Sequence, residues 1–139
     1  MDNENRIEHV AIAVDDLETA VSVFASILGT SDSGRETVES EQVKIAFFDL
    51  AGTRIELLEP TASDSPVGRF MESRGTGLHH IALEVPDIDA TLERCSAAGL
   101  ETIGAAPRAG AGGRRVAFLH PSSTGGVLLE LSERPQPTD

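Results

Sequence analysis

The sequence predicts an α+β fold in which two copies of a β-α-β-β-β module share one domain. Three observations support this fold class. The chain repeats itself internally, each copy opens with a strand-like run that leads into an acidic helix start, and a glycine ends each helix. With 139 residues and 40% apolar content, the chain is long enough for one well-buried core and too short for two ordinary domains.

The internal repeat is found when the chain is shifted so that His9 falls on His80. "HVAIAVDDLETAV" then aligns with "HIALEVPDIDATL", and at the same offset "KIAFF" aligns with "RVAFL". After a short insertion "IELLEP" meets "LELSER", which pairs Glu56 with Glu130. A repeat that covers most of the chain indicates two equivalent structural modules.

Each module, at about 6–60 and 78–133, opens with an apolar strand, "IEHVAIAV" or "LHHIALEV". An amphipathic helix follows, and three further strand-like runs complete the module. The helices end at Gly29 and Gly99. The second helix carries Cys95 on its apolar face, so we expect this cysteine in the core.

The start of the first helix carries a predicted capping box. Asp15 and Glu18 have the required spacing, immediately before an apolar stripe. That stripe consists of Leu17, Val21, Phe24 and Leu28.

A connector at 61–77 joins the modules and contains a short amphipathic helix at about 66–73. The tail, 134–139, has nothing to bury and is predicted to be disordered. The sequence has no apolar run long enough to cross a membrane and no secretory signal pattern, and its one cysteine cannot form an internal disulfide. We expect a single-domain cytoplasmic protein.

The formal net charge is −12 at pH 7. Long-range repulsion would oppose binding to nucleic acid or to an anionic membrane, so we expect neither as a partner.

The repeat also predicts a metal site. Equivalent inward residues of two modules related by an approximate two-fold axis converge on that axis, and four nitrogen and oxygen donors would then meet there. Because neighbouring side chains of a strand point to opposite faces, His79 would point away from this site or line its rim. The predicted ligands are His9, Glu56, His80 and Glu130.

Four stretches of the chain resemble, nearly end to end, the methylmalonyl-CoA epimerases of the vicinal-oxygen-chelate superfamily. They are "IEHVAIAVDDLETA", "RIELLEPTASDSPVGRF", "GLHHIALEVPDIDATLE" and "PRAGAGGRRVAFLHPSSTGGVLLELSE", within residues 6–133. The resemblance implies a glyoxalase-like open barrel around a metal site. It also implies a metal-dependent isomerase that acts on an acyl-CoA substrate.

In that family the ligands are the first-strand histidine, the second histidine of the HH pair, a fourth-strand glutamate or glutamine and the last-strand glutamate. The resemblance implies the same four residues, His9, His80, Glu56 and Glu130. Some members also carry a proposed catalytic glutamate on the second strand, where our alignment places Ile45. This chain has its carboxylate at Glu56 instead, which leaves the second catalytic base open.

Epimerisation at C2 of a methylmalonyl thioester needs two bases that flank the carbon and a cation that stabilises the enolate. Glu130 and Glu56 are the predicted acid/base pair. The family suggests cobalt as the ion, with zinc, manganese or nickel also open, and it suggests a homodimer.

Predicted substrate contacts lie in the segment 105–129, which has no acidic residue. A local basic loop would attract the phosphates of CoA, although incidental arginines in a solvated hairpin loop are an equal alternative. The candidate phosphate contacts are Arg108, Arg114 and Arg115. The candidate contacts for the free carboxylate are His120, Ser123 and Thr124.

Other functions of the same fold compete with this interpretation. A glyoxalase-I-type lyase has similar ligands and enediolate chemistry. A ring-cleaving dioxygenase usually binds its iron with two histidines and one carboxylate. The fourth donor in this chain would occupy the coordination position that oxygen needs. A metal-free drug-binding resistance protein would not need the four donors together.

Overall fold

The computed structural model describes residues 3–135. Its strands are β1 (Arg6–Ala13), β2 (Gly34–Val38), β3 (Val43–Leu50), β4 (Thr53–Pro60), β5 (Gly77–Val85), β6 (Thr102–Ala109), β7 (Arg115–Leu119) and β8 (Leu129–Glu133). Its helices are α1 (Leu17–Leu28), α2 (Pro66–Arg74) and α3 (Ile88–Ala97). The element order is β-α-β-β-β twice with a helix between the copies, so the predicted order of elements and the predicted connector helix are confirmed. The bounds of the modules stay predictions.

The chain divides into two compact units. The N-terminal unit is His9–His79, and the C-terminal unit contains the described residues of Met1–Glu8 and His80–Asp139. The first residues of β1 therefore belong to the C-terminal unit, a division that the repeat does not predict. That both modules share one domain stays a prediction.

The two units have the same strand pairing. In the N-terminal unit β2, β3 and β4 are antiparallel neighbours and β4 is parallel to β1. In the C-terminal unit β6, β7 and β8 are antiparallel neighbours and β8 is parallel to β5. The sequence repeat thus corresponds to a repeat of topology.

Each unit packs its helix on one face of its strands. In the N-terminal unit this core consists of Leu17, Val21, Ala46, Phe48 and Leu57. In the C-terminal unit it consists of Val85, Ile88, Cys95, Ala117, Leu119 and Leu131, which confirms Cys95 as a core residue. Since side chains alternate along a strand, the residues between these core positions face the other way.

The starts of α1 and α3 are capped in the same way. The Asp16 carboxylate accepts from the Thr19 N–H, and the equivalent Asp87 accepts from the Ala90 N–H. The predicted capping box at Asp15 is wrong, because the cap lies one residue later. Its partner Glu18 is also not used for capping, since its carboxylate forms an ion pair with Arg35.

A second carboxylate reaches each helix start from the last strand of the unit. Glu59 accepts from the Leu17 N–H at 2.8 Å, and Glu133 accepts from the Ile88 N–H at 3.1 Å. A helix N-terminus leaves its first N–H groups without helical partners and carries partial positive charge, so a carboxylate there is stabilising. These contacts tie the last strand of each unit to its helix.

The predicted helix ends are close to the observed ones. Gly29 takes the left-handed conformation with φ 70° directly after α1, as predicted. In the second module Ala98 caps α3, and Gly99 follows with φ 79°. No helix within residues 3–135 is long and apolar enough to cross a membrane.

The predicted disordered tail, 134–139, falls partly outside the described residues, which end at 135. Arg134, its first residue, is held: its backbone N–H donates to the Val85 carbonyl at 2.8 Å, and its guanidinium lies 3.5 Å from the Glu84 carboxylate. The prediction of disorder therefore does not apply to Arg134.

Glu84 of β5 is a buried carboxylate surrounded by arginines. Arg114 Nη1 lies 2.7 Å from it and Arg6 Nε lies 3.0 Å from it, in addition to Arg134. Burial raises the pKa of Glu84, but hydrogen bonds from Arg114 and Arg6 outweigh this effect, so its pKa lies below the ordinary 4.5. The cluster joins the start of β1, the loop before β7 and the end of the described chain to β5.

Replacement of this carboxylate, Glu84→Gln, is expected to lower the free energy of unfolding by about 2 kcal/mol at pH 7, because the arginines lose a charged acceptor. The pKa is lower in the folded than in the unfolded state, so the stabilisation is complete above pH 4.5 and lost as the pH falls below it. Urea unfolding of both proteins at pH 7 and pH 3.5 measures this difference. A difference in unfolding free energy between parent and variant that is the same at both pH values would contradict the account. An equal loss of unfolding free energy in Glu93→Gln, an exposed control, would contradict it as well.

Candidate metal centre

The N-terminal unit contains a buried histidine–glutamate pair. His9 lies on β1 and Glu56 on the parallel strand β4, where Glu56 is in register with Ala11. The Nδ1 atom of His9 lies 3.3 Å from Oε2 of Glu56. The two residues are 4% and 3% exposed, so the pair is buried.

The C-terminal unit contains the equivalent pair at the same register. His80 lies on β5 and Glu130 on the parallel strand β8, where Glu130 is in register with Ala82. The Nε2 atom of His80 lies 3.1 Å from Oε1 of Glu130, and the residues are 6% and 8% exposed. In both units the glutamate is therefore opposite the residue two positions after the histidine.

The chemistry of the four donors fits a divalent metal ion. Imidazole nitrogen and carboxylate oxygen are ligands for zinc and for the neighbouring first-row metals, and burial of a carboxylate without compensation is costly. The structure brings together His9 with Glu56 and His80 with Glu130, as the repeat predicts. That both pairs hold one ion stays a prediction.

The two histidines of the HH pair have different partners. His79 is half-buried and packs edge-to-face on Phe70 of α2, with ring centroids 4.8 Å apart. His80 contacts Glu130. This is the result that strand alternation predicts, since neighbouring side chains project to opposite faces.

A phenylalanine lies beside each glutamate, which the sequence interpretation missed. Phe47 of β3 is in register with Glu56, and Phe118 of β7 is in register with Glu130. The Phe118 ring also packs edge-on against the His80 ring, at 5.6 Å and 88°. The signal was available in the aligned segments "KIAFF" and "RVAFL", which place the two phenylalanines at equivalent positions.

Two of the predicted phosphate contacts make ion pairs inside the C-terminal unit. Arg114 donates to Glu84, and Arg115 lies 3.1 Å from Asp89 and 3.3 Å from Glu133. Hydrogen bonds that Arg115 donates to the Asp89 carboxylate raise the pKa of Arg115. A phosphate would have to share or displace these carboxylates, while Arg108 lies over the Phe118 ring at 5.2 Å.

The loop after β7 uses its polar side chains internally. The Nδ1 atom of His120 accepts from the Ser122 N–H at 3.0 Å. Ser123 Oγ accepts from the Glu101 N–H, and Thr124 Oγ1 donates to the Val127 carbonyl. The predicted role of these side chains at the substrate carboxylate stays a prediction, and the contacts show that they shape the loop.

Ile45 lies on β3, the third strand of its module rather than the second. It is 4% exposed and in register with Leu58 and Glu36. An apolar side chain therefore occupies this position in the N-terminal unit, and Glu56 is the buried carboxylate on the neighbouring strand.

Comparison with known proteins agrees with this architecture. A sequence profile of the "Glyoxalase/Bleomycin resistance protein/Dioxygenase superfamily" matches residues 8–118. The ethylmalonyl-CoA/methylmalonyl-CoA epimerase of Cereibacter sphaeroides is 40% identical over 130 residues, which cover 92% of this chain and 97% of that protein. The mitochondrial methylmalonyl-CoA epimerase of Homo sapiens is 38% identical over 132 residues, 94% of this chain and 75% of that protein.

A solved structure gives the same result. A methylmalonyl-CoA epimerase whose structure is known in complex with methylmalonyl-CoA and NH4+ is 35% identical in sequence to this chain. It superposes with a TM-score of 0.87, covering 93% of this chain and 94% of that one.

The chain therefore belongs to the glyoxalase/bleomycin resistance protein/dioxygenase superfamily and has its glyoxalase-like fold. Within that superfamily it is an enzyme of the methylmalonyl-CoA epimerase family. The family resemblance of the sequence motifs is confirmed.

The different partners of the two neighbouring histidines predict different effects on metal affinity. His80→Ala is expected to weaken Co²⁺ binding at least a hundredfold, because a ligand with a fixed orientation is lost. His79→Ala is expected to change it less than threefold. Calorimetric titration of both variants measures the difference, and an equal loss of affinity would show that strand alternation does not select the ligand.

Proposed function

We propose that the protein interconverts (2R)- and (2S)-methylmalonyl-CoA by removing the C2 proton from one face and returning a proton to the other. The main support is the repetition of a buried histidine–glutamate pair at the same register in both units. The reaction needs a proton carrier on each face of one carbon, and two equivalent carboxylates suit that requirement. The activity for which the relatives are named agrees with it.

The proposal includes one divalent ion held by both pairs together, His9, Glu56, His80 and Glu130. Their burial and donor chemistry support it, and cobalt is the ion we expect, with zinc, manganese or nickel as alternatives. When bound, such an ion would stabilise the negative charge that develops on the thioester and carboxylate oxygens.

Glu130 and Glu56 are the proposed proton carriers. Each carboxylate is oriented by an imidazole, at 3.1 Å and 3.3 Å, and each has a phenylalanine as its neighbour on the next strand. An apolar neighbour keeps water from a carboxylate, which favours proton transfer to substrate over exchange with solvent. One glutamate would take the C2 proton, and the other would deliver a proton to the opposite face.

The second candidate function is that of a glyoxalase-I-type lyase. It would use the same ligands on a hemithioacetal. The epimerase relatives make it the less favoured function, and the dioxygenase and the metal-free binding protein have no supporting observation.

Two remaining parts of the proposal follow the family resemblance: the substrate partner is an acyl-CoA, and the assembly is a homodimer. The proposed location, the cytoplasm, follows the sequence expectation. Cys95 is a free, buried thiol, which agrees with a reducing compartment.

The proposed activity predicts that the protein racemises C2 of methylmalonyl-CoA. Incubation of one enantiomer in deuterated water, followed by chiral analysis and mass spectrometry, should show inversion together with deuterium uptake. A parallel reaction with the methylglyoxal–glutathione hemithioacetal should show no product. Product from the hemithioacetal without inversion of methylmalonyl-CoA would favour the lyase.

The same assay separates the two roles of Glu56. Glu56→Gln keeps an oxygen for the metal but removes a proton carrier, so inversion should fall at least a hundredfold while single-face exchange of the C2 hydrogen persists. Metal content is measured alongside. A variant that binds metal and inverts C2 at the parent rate would show that Glu56 is only a ligand.

A further inference from the structure

We propose that Arg108 is the specificity-determining residue that binds the free carboxylate of the substrate, the group attached to the reacting carbon. This assignment rests on the proposed function. It also replaces the expectation that Arg108 contacts the phosphates of CoA.

The position of Arg108 follows from an irregularity in β6. The pairing of β6 with β7 shifts between Ile103 and Arg108, so that Arg108 is in register with Val116, whereas an unshifted ladder would place it opposite Gly113. A shift of this kind bends a strand and redirects its side chains, often next to an active site. The guanidinium of Arg108 consequently lies over the Phe118 ring, 5.2 Å from its centroid.

Phe118 connects Arg108 to the histidine–glutamate pair of the C-terminal unit. Its ring packs edge-on against His80, and its backbone is in register with Glu130. Arg108 and His80 therefore both lie against the Phe118 ring. A guanidinium that lies over a ring can still direct N–H donors away from that ring, where they can bind both oxygens of a carboxylate.

The other two arginines of this segment do not share this placement. Arg114 donates to Glu84, and Arg115 forms ion pairs with Asp89 and Glu133. Among these three arginines, Arg108 is the one that the structure places beside the His80–Glu130 pair.

The location favours the carboxylate over the phosphates for a chemical reason. In a methylmalonyl thioester the carboxylate is bonded to the carbon that loses the proton. The phosphates are separated from that carbon by the whole pantetheine arm. A cation beside the proton-carrying glutamate is therefore near the carboxylate when the substrate is in position to react.

The N-terminal unit offers a matched control. Arg54 lies over Phe47, 4.0 Å from the ring centroid, so its cation–π contact resembles that of Arg108. Its Nε atom donates at 3.1 Å to Asp49, its register partner on β3. Removal of Arg54 tests the effect of losing any arginine stacked on a phenylalanine.

The experiment compares Arg108→Gln with the parent on two substrates, methylmalonyl-CoA and the methylmalonyl thioester of N-acetylcysteamine, which lacks the phosphates. The expected result is a KM raised about tenfold to a hundredfold on both substrates, with a smaller change in kcat, because a charge-assisted hydrogen bond to the carboxylate is lost. Inhibition by propionyl-CoA, which has no free carboxylate, should stay within twofold of the parent value. Arg54→Gln should change KM less than threefold.

A KM change seen with methylmalonyl-CoA alone, together with weaker inhibition by propionyl-CoA, would overturn the assignment in favour of the phosphates. An unchanged KM, or an equal change in Arg54→Gln, would also overturn it. Arg108→Lys keeps the charge without the planar fork and should recover part of the lost affinity at the parent melting temperature. A parent protein inactive on methylmalonyl-CoA would instead overturn the proposed function, before any variant is compared.

Discussion

The parallel pairing of the first and last strands in each unit is the constraint on which the rest of the structure depends. The last strand carries two glutamates three positions apart, Glu56 and Glu59 in one unit and Glu130 and Glu133 in the other. Because alternate residues of a strand face opposite sides, one glutamate of each pair meets a histidine and the other meets a helix N-terminus. If the last strand shifted by one residue, each of its glutamates would face the opposite side of the sheet. The contact of one glutamate with the helix N-terminus therefore also fixes the register of the other glutamate, the candidate metal ligand.

Burial of several carboxylates requires compensation from within each unit. Glu56 and Glu130 face imidazoles, and Glu84 is surrounded by arginines. The acidic chain, with a net charge of −12, thus places three of its arginines, Arg6, Arg114 and Arg134, at the buried Glu84. Next to the glycine-rich loop, Arg114 belongs to the Glu84 cluster, whereas Arg115 pairs with Asp89 and Glu133. Charge that reaches a substrate would come from Arg108, next to Phe118.

Much of the fold and the ligand pairs could be predicted, because both follow from the repeat. The equivalence of His9 with His80 and of Glu56 with Glu130 is visible in the sequence, and the alternation of a strand explains why His79 has another partner. Features that depend on tertiary contacts could not be predicted. The ion pairs of Arg114 and Arg115, the second helix cap from Glu133 and the shifted pairing at Arg108 bring together residues with no fixed spacing in the sequence.

The central proposal is that the histidine–glutamate pairs of the two units together bind one metal ion. Titration of the metal-depleted protein with Co²⁺, followed by visible absorption and calorimetry, measures the stoichiometry directly. The account predicts a single class of site that saturates at one Co²⁺ per chain, with binding lost in both His9→Ala and His80→Ala. Saturation at two ions per chain, with one lost in each variant, would show that each pair binds separately and would contradict the account.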